Sequence, residues 1–220
     1  MKSIILIAPP SAGKGTISKI LCEEYRLPHI STGDLLRNAT LNDDEQGNYI
    51  KQQMNLGNLV SDDIIISLVE NRIMDNDCTN GYILDGFPRN LKQAKHYDNF
   101  IAKKNINMGI VVLLDIAREE AKKRILGRVS CSNCGAVFNL YSNDTRPRIA
   151  GLCDRCGANL TRREDDNSEV FDIRFSTYLK ETKPVADYYE SKGLLYKIDS
   201  SVPLPKVLEQ VEEIIRREND

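Results

Sequence analysis

An apolar run, Ile4 to Ala8, breaks into Pro9-Pro10-Ser11-Ala12-Gly13-Lys14-Gly15-Thr16 and then into an amphipathic stretch starting at Lys14. Strand, tight loop and helix in that order turn backbone N–H groups inward in front of a helix N-terminus, which makes a cradle for phosphate. Lys14 is placed to reach β- and γ-phosphates. The match to the Walker pattern is imperfect: its first glycine is Ala8, and Gly15 stands where Ser or Thr usually follows the lysine. Taken alone, a strand-to-helix turn that merely contains glycines would look the same.

The rhythm set by this opening continues. Short apolar runs at Ser3–Ala8, Pro28–Ile30, Tyr82–Asp85, Ile110–Leu114 and Leu194–Ile198 predict strands. Helical stretches at Lys14–Tyr25, Asp62–Asp75, Leu91–Lys103 and Ser168–Ser191 lie between them. Such alternation predicts an α/β fold, a parallel sheet covered by helices on both faces. Ser61 ahead of Asp62 and Asp63 reads as a capping hydroxyl with acidic groups at the positive end of a helix. Gly193 marks the stop of the Ser168–Ser191 helix. Two segments break the alternation and read as insertions: a polar, mostly helical one at about 31–60, and a Gly-, Asn-, Pro- and Cys-rich one at about 128–165.

Composition narrows the function. Of 220 residues, 41% are hydrophobic and 28% charged, and the net charge is -2, so no basic surplus invites nucleic acid. No apolar run near the start approaches the roughly 20 residues that cross a bilayer. Pro9, Pro10 and Lys14 also interrupt the run that could imitate a signal peptide. The expected compartment is the cytoplasm, where six cysteines point to metal rather than disulfides.

Four of those cysteines form Cys131-x2-Cys134 and, 18 residues on, Cys153-x2-Cys156, each pair followed by a glycine, Gly135 or Gly157. Two knuckle-like turns can present four thiolates to a tetrahedral zinc. Four protein ligands leave no open position, so the expected Zn²⁺ is structural, replacing a core that so short a segment can scarcely build. Cys22 and Cys78 read as small buried apolar groups, and His29 and His96, with no partner at ligand spacing, as structural.

Further motifs follow in order: Ser31-Thr32-Gly33-Asp34-Leu35-Leu36-Arg37, Gly57-Asn58-Leu59-Val60-Ser61-Asp62, and Asp85-Gly86-Phe87-Pro88-Arg89 with Gln93 four residues on. Arg124, Gly127 and Arg128 precede the cysteine segment; Arg163, Asp165, Asp166 and Arg174 follow it. In this order and spacing, over essentially the whole chain, the sequence resembles the adenylate kinases, of the long type with a zinc-binding lid. The departures are Ala8 and Ser11 where the family usually has Gly, and Val129 where a second Arg normally follows Arg128. A side chain at Ser11 predicts strain in a loop that hugs phosphate.

The resemblance implies a P-loop fold on a five-stranded parallel sheet. Its core would span 1–30, 61–127 and 166–220, with an AMP-binding domain at 31–60 and a zinc lid at 128–165. It implies the reaction ATP + AMP = 2 ADP, with Mg²⁺ accompanying ATP. Catalysis of this kind is mostly positioning and charge neutralisation, so many fixed cations and no general base are expected. The implied set is Lys14, Arg89, Arg124, Arg128, Arg163 and Arg174, with Asp85 at a strand end holding Mg²⁺ through water. ATP would meet Ser11, Ala12, Gly13, Lys14, Gly15, Thr16, Arg124, Arg128, Val137, Phe138 and Val202. AMP would meet Thr32, Arg37, Asn58, Leu59, Val60, Gly86, Phe87, Pro88, Arg89, Gln93, Arg163 and Arg174. Asp165 and Asp166 would pair with nearby arginines and hold the lid closed. Thr32 and Gln93 are the adenylate-type residues of their motifs.

The expected partners are ATP, AMP and ADP, with no nucleic acid, no membrane, and a monomeric chain. Three other readings compete: a nucleotide sensor without efficient transfer, motivated by Ala8 and Ser11; a kinase for another nucleoside monophosphate; and a zinc ribbon that binds nucleic acid. The last is poorly served by a cysteine segment with few basic residues and no aromatic platform beyond Phe138 and Tyr141.

Overall fold

The computed structural model describes residues 2–42 and 44–219; Met1, Asp43 and Asp220 lie outside the described residues. In chain order the strands are β1 (Ile4–Ile7), β2 (His29–Ser31), β3 (Ile83–Asp85), β4 (Ile110–Asp115), β5 (Arg128–Cys131), β6 (Val137–Asn139), β7 (Leu160–Thr161) and β8 (Leu195–Asp199). The helices are α1 (Lys14–Tyr25), α2 (Thr32–Ala39), α3 (Glu45–Leu56), α4 (Asp62–Ile73), α5 (Leu91–Lys103), α6 (Arg118–Gly127), α7 (Ser168–Thr177), α8 (Lys183–Ser191) and α9 (Leu204–Asn219).

Five strands form one parallel sheet in the order β2-β3-β1-β4-β8. Strand alternation sends side chains to both faces, and both are buried, which explains the nearly unbroken apolar runs. Ile5, Leu84 and Val111 pack under Val69 of α4, Tyr97 of α5 and Val185 of α8. Ile4, Leu6 and Val112 pack on the other face under Leu21 of α1, Ile125 of α6 and Val211 of α9. The same alternation puts Asp85, two positions after Ile83, and His29, opposite Ile83 in register, on the α1 side of the sheet; Ser31 stands opposite Asp85.

Three expectations need correction. Ser61 precedes α4, but its hydroxyl makes no capping bond. Asp62 and Asp63 do sit in its first turn, as expected, and Asp62 also accepts from Asn90 Nδ2 and Gln93 Nε2 at 2.8 Å each. The stretch Ser168–Ser191 is not one regular helix: a π-helical turn, Tyr178–Thr182, joins α7 to α8. It sits just ahead of Pro184, which has no N–H to give and crowds the carbonyl four residues back. The cysteine segment, expected only as an irregular insertion, holds a three-stranded antiparallel sheet in the order β6-β5-β7. Between β6 and β7 the Tyr141–Arg146 stretch runs through turns.

Gly193 does follow the end of α8, at φ 69°. The 31–60 stretch is helical, as α2 and α3. No helix of the described residues is long and apolar enough to cross a membrane.

Candidate active site

The loop from Ala8 to Gly13 leaves the carboxyl end of β1, the central strand, where open parallel sheets form their ligand crevice. Gly13 at φ 92° turns the chain into α1, and Thr16 N donates to Gly13 O at 3.0 Å. No acidic residue occupies the first turn of α1, so its N-terminal potential stays positive. Ser11 adopts φ 63°, a left-handed conformation that suits glycine and costs a side-chain-bearing residue of order 1 kcal/mol. The strain read from the sequence is present, and Ser11 Oγ is buried with no hydrogen-bond partner among the described residues.

Cations converge beside this loop because Gly86 has no side chain. A Cβ there would lie 2.6 Å from Thr32 Oγ1, 3.1 Å from an Arg89 terminal nitrogen and 3.3 Å from Lys14 Nζ. Its φ of 85° independently favours glycine. Lys14 Nζ donates to Asp85 Oδ1, and His29 Nε2 lies 3.2 Å from Asp85 Oδ2. Burial alone would raise the Asp85 carboxyl, but the Lys14 charge and the His29 hydrogen bond hold it well below the usual carboxylate range. Thr32 Oγ1 donates to the Gly86 carbonyl at 3.0 Å.

The arginines divide into paired and unpaired. Arg37 donates to Asp34, Arg128 to Asp166, Arg174 to Asp165, and Arg124 spans Glu120 at 3.3 Å and the Ser201 carbonyl at 3.4 Å. Asp165 and Asp166 therefore pair as expected. Burial would raise the Asp165 carboxyl, and Arg174 overrides it and lowers it. Arg89 is half-buried, and its Nε donates to the Gly86 carbonyl at 2.9 Å. Burial lowers the Arg89 guanidinium, the Asp85 carboxylate opposes this, and the like charges of Arg174 and Arg37 lower it further. Arg163 is depressed by partial desolvation and then by Arg128 and Arg37. Neither Arg89 nor Arg163 has a carboxylate ion-pair partner among the described residues.

All of these cations line one cleft of about 610 Å³. Its lining includes Arg124, Val137, Phe138 and Val202, and also Thr32, Arg37, Asn58, Leu59 and Val60. Residues Ser11 to Thr16, Asp85, Gly86 and Pro88 line it as well. Two expected members stand apart. Phe87 is 2% exposed, its ring edge-on to Tyr97 at 6.1 Å, because an apolar ring at that turn gains more in the core than at the cleft. Gln93 is 2% exposed and lines a side cavity of about 20 Å³ with Thr32, Leu59 and Val60. Its Oε1 accepts from Arg89 N at 2.7 Å and its Nε2 donates to Asp62, leaving one lone pair and one N–H.

Away from the cleft, the Sγ atoms of Cys131, Cys134, Cys153 and Cys156 lie within 4.8 Å of one another. The two turns repeat each other: Gly135 N donates to Cys131 O at 2.9 Å and Gly157 N to Cys153 O at 2.8 Å. The Ala158 amide, with Asn133 and Cys131, draws the Cys156 thiol down to about 6. The Ala136 amide also lowers Cys134, but partial desolvation and the other three sulfurs outweigh it and push that thiol up to about 12. Four sulfurs this close cannot all ionise unless a cation lies among them.

Sequence reasoning missed several members. His29 has a partner after all, Asp85, and His96 pairs with Glu70 at 2.7 Å. Asp62 positions Gln93, Thr182 donates to the Arg89 carbonyl at 2.8 Å, and Asn139 Nδ2 donates to Arg124 O at 2.8 Å. Lys19 Nζ reaches from α1 to the Gly135 carbonyl at 2.8 Å, tying the cysteine turn to the helix behind the phosphate loop. The one available signal was position: His29 opens a strand whose carboxyl end faces the cleft.

Comparison with known proteins fits this geometry. A family model described as adenylate kinase matches residues 6–194. The adenylate kinase of Thermosipho africanus is 40% identical over 215 residues, 98% of this chain and 100% of that protein. That of Archaeoglobus fulgidus is 40% identical over 98% of each chain, and that of Clostridioides difficile 40% identical over 94% of this chain and 95% of its own. A parallel sheet with a phosphate loop at its central strand, arginines gathered over it and these full-length likenesses lead to one assignment: the chain belongs to the adenylate kinase family.

Proposed function

We propose that the chain moves a phosphoryl group reversibly between ATP and AMP, with ATP at the Arg124–Val202 end of the cleft and AMP at the Thr32–Val60 end. The observation that carries this is the pair of unpartnered guanidiniums. Arg89 and Arg163 are each depressed first by burial and then by neighbouring like charge that nearby carboxylates only partly offset, an arrangement that folding disfavours and a polyphosphate relieves.

Lys14 leaves Asp85 to hold the β- and γ-phosphates of ATP over the loop amides of Ser11 to Thr16. Arg124 stacks on the adenine beside Val202, while Val137 and Phe138 cover base and ribose and Arg128 steadies the phosphates. Arg37 and Arg89 hold the AMP phosphate; Arg163 and Arg174 approach the group in transit. Leu59 and Val60 line the AMP base pocket, with Thr32 and the spare lone pair and N–H of Gln93 to recognise adenine. Asn58, Gly86 and Pro88 shape its entrance. Arginine suits these posts because its planar fork meets two oxygens at once. No side chain needs to act as a general base.

Asp85 is, among the described residues, the one strand-end carboxylate lining the cleft, and Gly15 brings no hydroxyl beside it, so the donor set fits a water-rich Mg²⁺ held indirectly. When bound, Mg²⁺ neutralises charge between the phosphates. The four cysteines fit a tetrahedral Zn²⁺, whose sulfurs stand about 3.8 Å apart in an ideal site. When bound, Zn²⁺ fastens the two turns into a lid.

On this reading residues 1–30, 61–127 and 166–220 are the core, 31–60 the AMP-binding domain and 128–165 the lid, in a cytoplasmic monomer. A coupled assay of ADP formation from Mg-ATP with AMP, UMP, CMP or GMP tests it. AMP should be preferred by at least about tenfold in kcat/KM, the scale of one well-placed base contact. Binding of both nucleotides without ADP would make the chain a sensor, and preference for another acceptor would move the base assignment.

A further inference from the structure

Asp85 is 7% exposed, and its two carboxylate oxygens are served by different donors. Lys14 Nζ donates to Oδ1, while on Oδ2 stand His29 Nε2 at 3.2 Å and, at the outer limit, Ser18 Oγ at 3.5 Å. An ionised carboxylate only accepts, so the His29 contact requires the proton on Nε2. Gly15 also faces Oδ2, where a Cβ would lie 3.6 Å away, but glycine offers no hydroxyl in the place where phosphate loops usually carry one.

Lys14 has two claimants. The phosphates of ATP need its ammonium over the loop, and Asp85 holds it. When Lys14 turns to the phosphates, Oδ1 loses its partner, and a carboxylate this buried is strongly penalised if left bare. We infer that His29 is a positioning residue: by holding Oδ2 it keeps the buried Asp85 carboxylate compensated and aimed, so that Lys14 can leave Oδ1 for the phosphates of ATP. The inference rests on Lys14 being the phosphate lysine of the proposed function. It asks for a hydrogen-bond donor at His29, not for a positive charge. A glutamine, whose amide reaches about as far as Nε2, should therefore substitute, and an apolar side chain of similar size should not.

The test is calorimetric titration of the full chain with ATP without Mg²⁺, and separately with AMP, on wild type, His29→Leu, His29→Gln, Lys14→Met and the Leu–Met double variant. His29→Leu should weaken ATP binding about tenfold, the scale of a hydrogen bond to a charged group, and leave AMP binding within about twofold. His29→Gln should restore ATP affinity to within about threefold of wild type. In the Lys14→Met background the His29→Leu effect should vanish, since no ammonium then has to be released. Unchanged ATP affinity in His29→Leu, equal losses for ATP and AMP, failure of His29→Gln to rescue, or additivity with Lys14→Met would each overturn the inference. Wild-type ATP affinity in Lys14→Met alone would instead overturn the phosphate-loop assignment beneath it.

Discussion

Arg89 shows how far a single residue can be held against the interest of the fold. Its guanidinium is fixed by the Gly86 carbonyl, half-buried, and depressed by burial and by Arg174 and Arg37, with Asp85 opposing them from nearby but no carboxylate in direct ion-pair contact among the described residues. Such a charge costs stability until an anion arrives. Replacing it by Met should leave the melting temperature of the protein without nucleotide unchanged or higher, while kcat/KM for AMP falls by roughly 10²–10³, the usual cost of one preorganised donor. Thermal melts and steady-state kinetics on the same preparation decide; a lower melting temperature with intact kinetics would make Arg89 structural. The cations themselves were legible in the sequence, since Lys14, Arg37, Arg89, Arg163 and Arg174 sit in local motifs. Their resting partners were legible only where adjacent in sequence, as with Asp34, or expected from the motif, as with Asp165 and Asp166. His29 and Asp85 are 56 residues apart and meet through strand register, and Asp62 meets Gln93 across two helices. No local pattern encodes either contact.

At the scale of elements, the helices were read closely where capping and period agree. α1 and α5 span the residues expected of them, and α5 opens on Asn90, whose Oδ1 accepts from Gln93 N at 2.9 Å. The reading of Ser61 failed because a capping residue must aim its oxygen at the first turn, and the identity of a residue does not fix its rotamer. Asn167 does cap, its Oδ1 accepting from Val170 N at 2.9 Å. Asn167→Ala should therefore cost about 1 kcal/mol, and Ser61→Ala less than about 0.5 kcal/mol, in chemical denaturation. Equal losses would mean that the two helix starts do not differ as described. The small sheet of β5, β6 and β7 escaped the sequence for another reason. Strands of four, three and two residues are too short for apolar alternation to emerge, and the cysteines that hold them together dominate the pattern.

For the whole molecule, the parallel sheet brings to one edge residues drawn from nearly the full length of the chain, from Ser11 to Val202. The cysteine segment contacts α1 through Lys19 at the Gly135 carbonyl, and its two ends are braced by Arg128 on Asp166 and Arg174 on Asp165. A ligand that occupies both ends of the cleft should therefore act on the entire fold rather than on one loop. A two-headed adenosine polyphosphate, present at a hundred times its dissociation constant, should add about 2.7 kcal/mol to the unfolding free energy. For a chain of this size that is a rise in melting temperature of roughly 5–10 °C. The same concentration should raise the melting temperature of Lys14→Ala by less than about 2 °C, because the ligand then loses the ammonium that joins its phosphates to the loop. Scanning fluorimetry of both proteins over a ligand series checks this. If the two shifted equally, Lys14 would not touch the phosphates; if neither shifted, the gathered arginines would serve some anion other than two joined nucleotides.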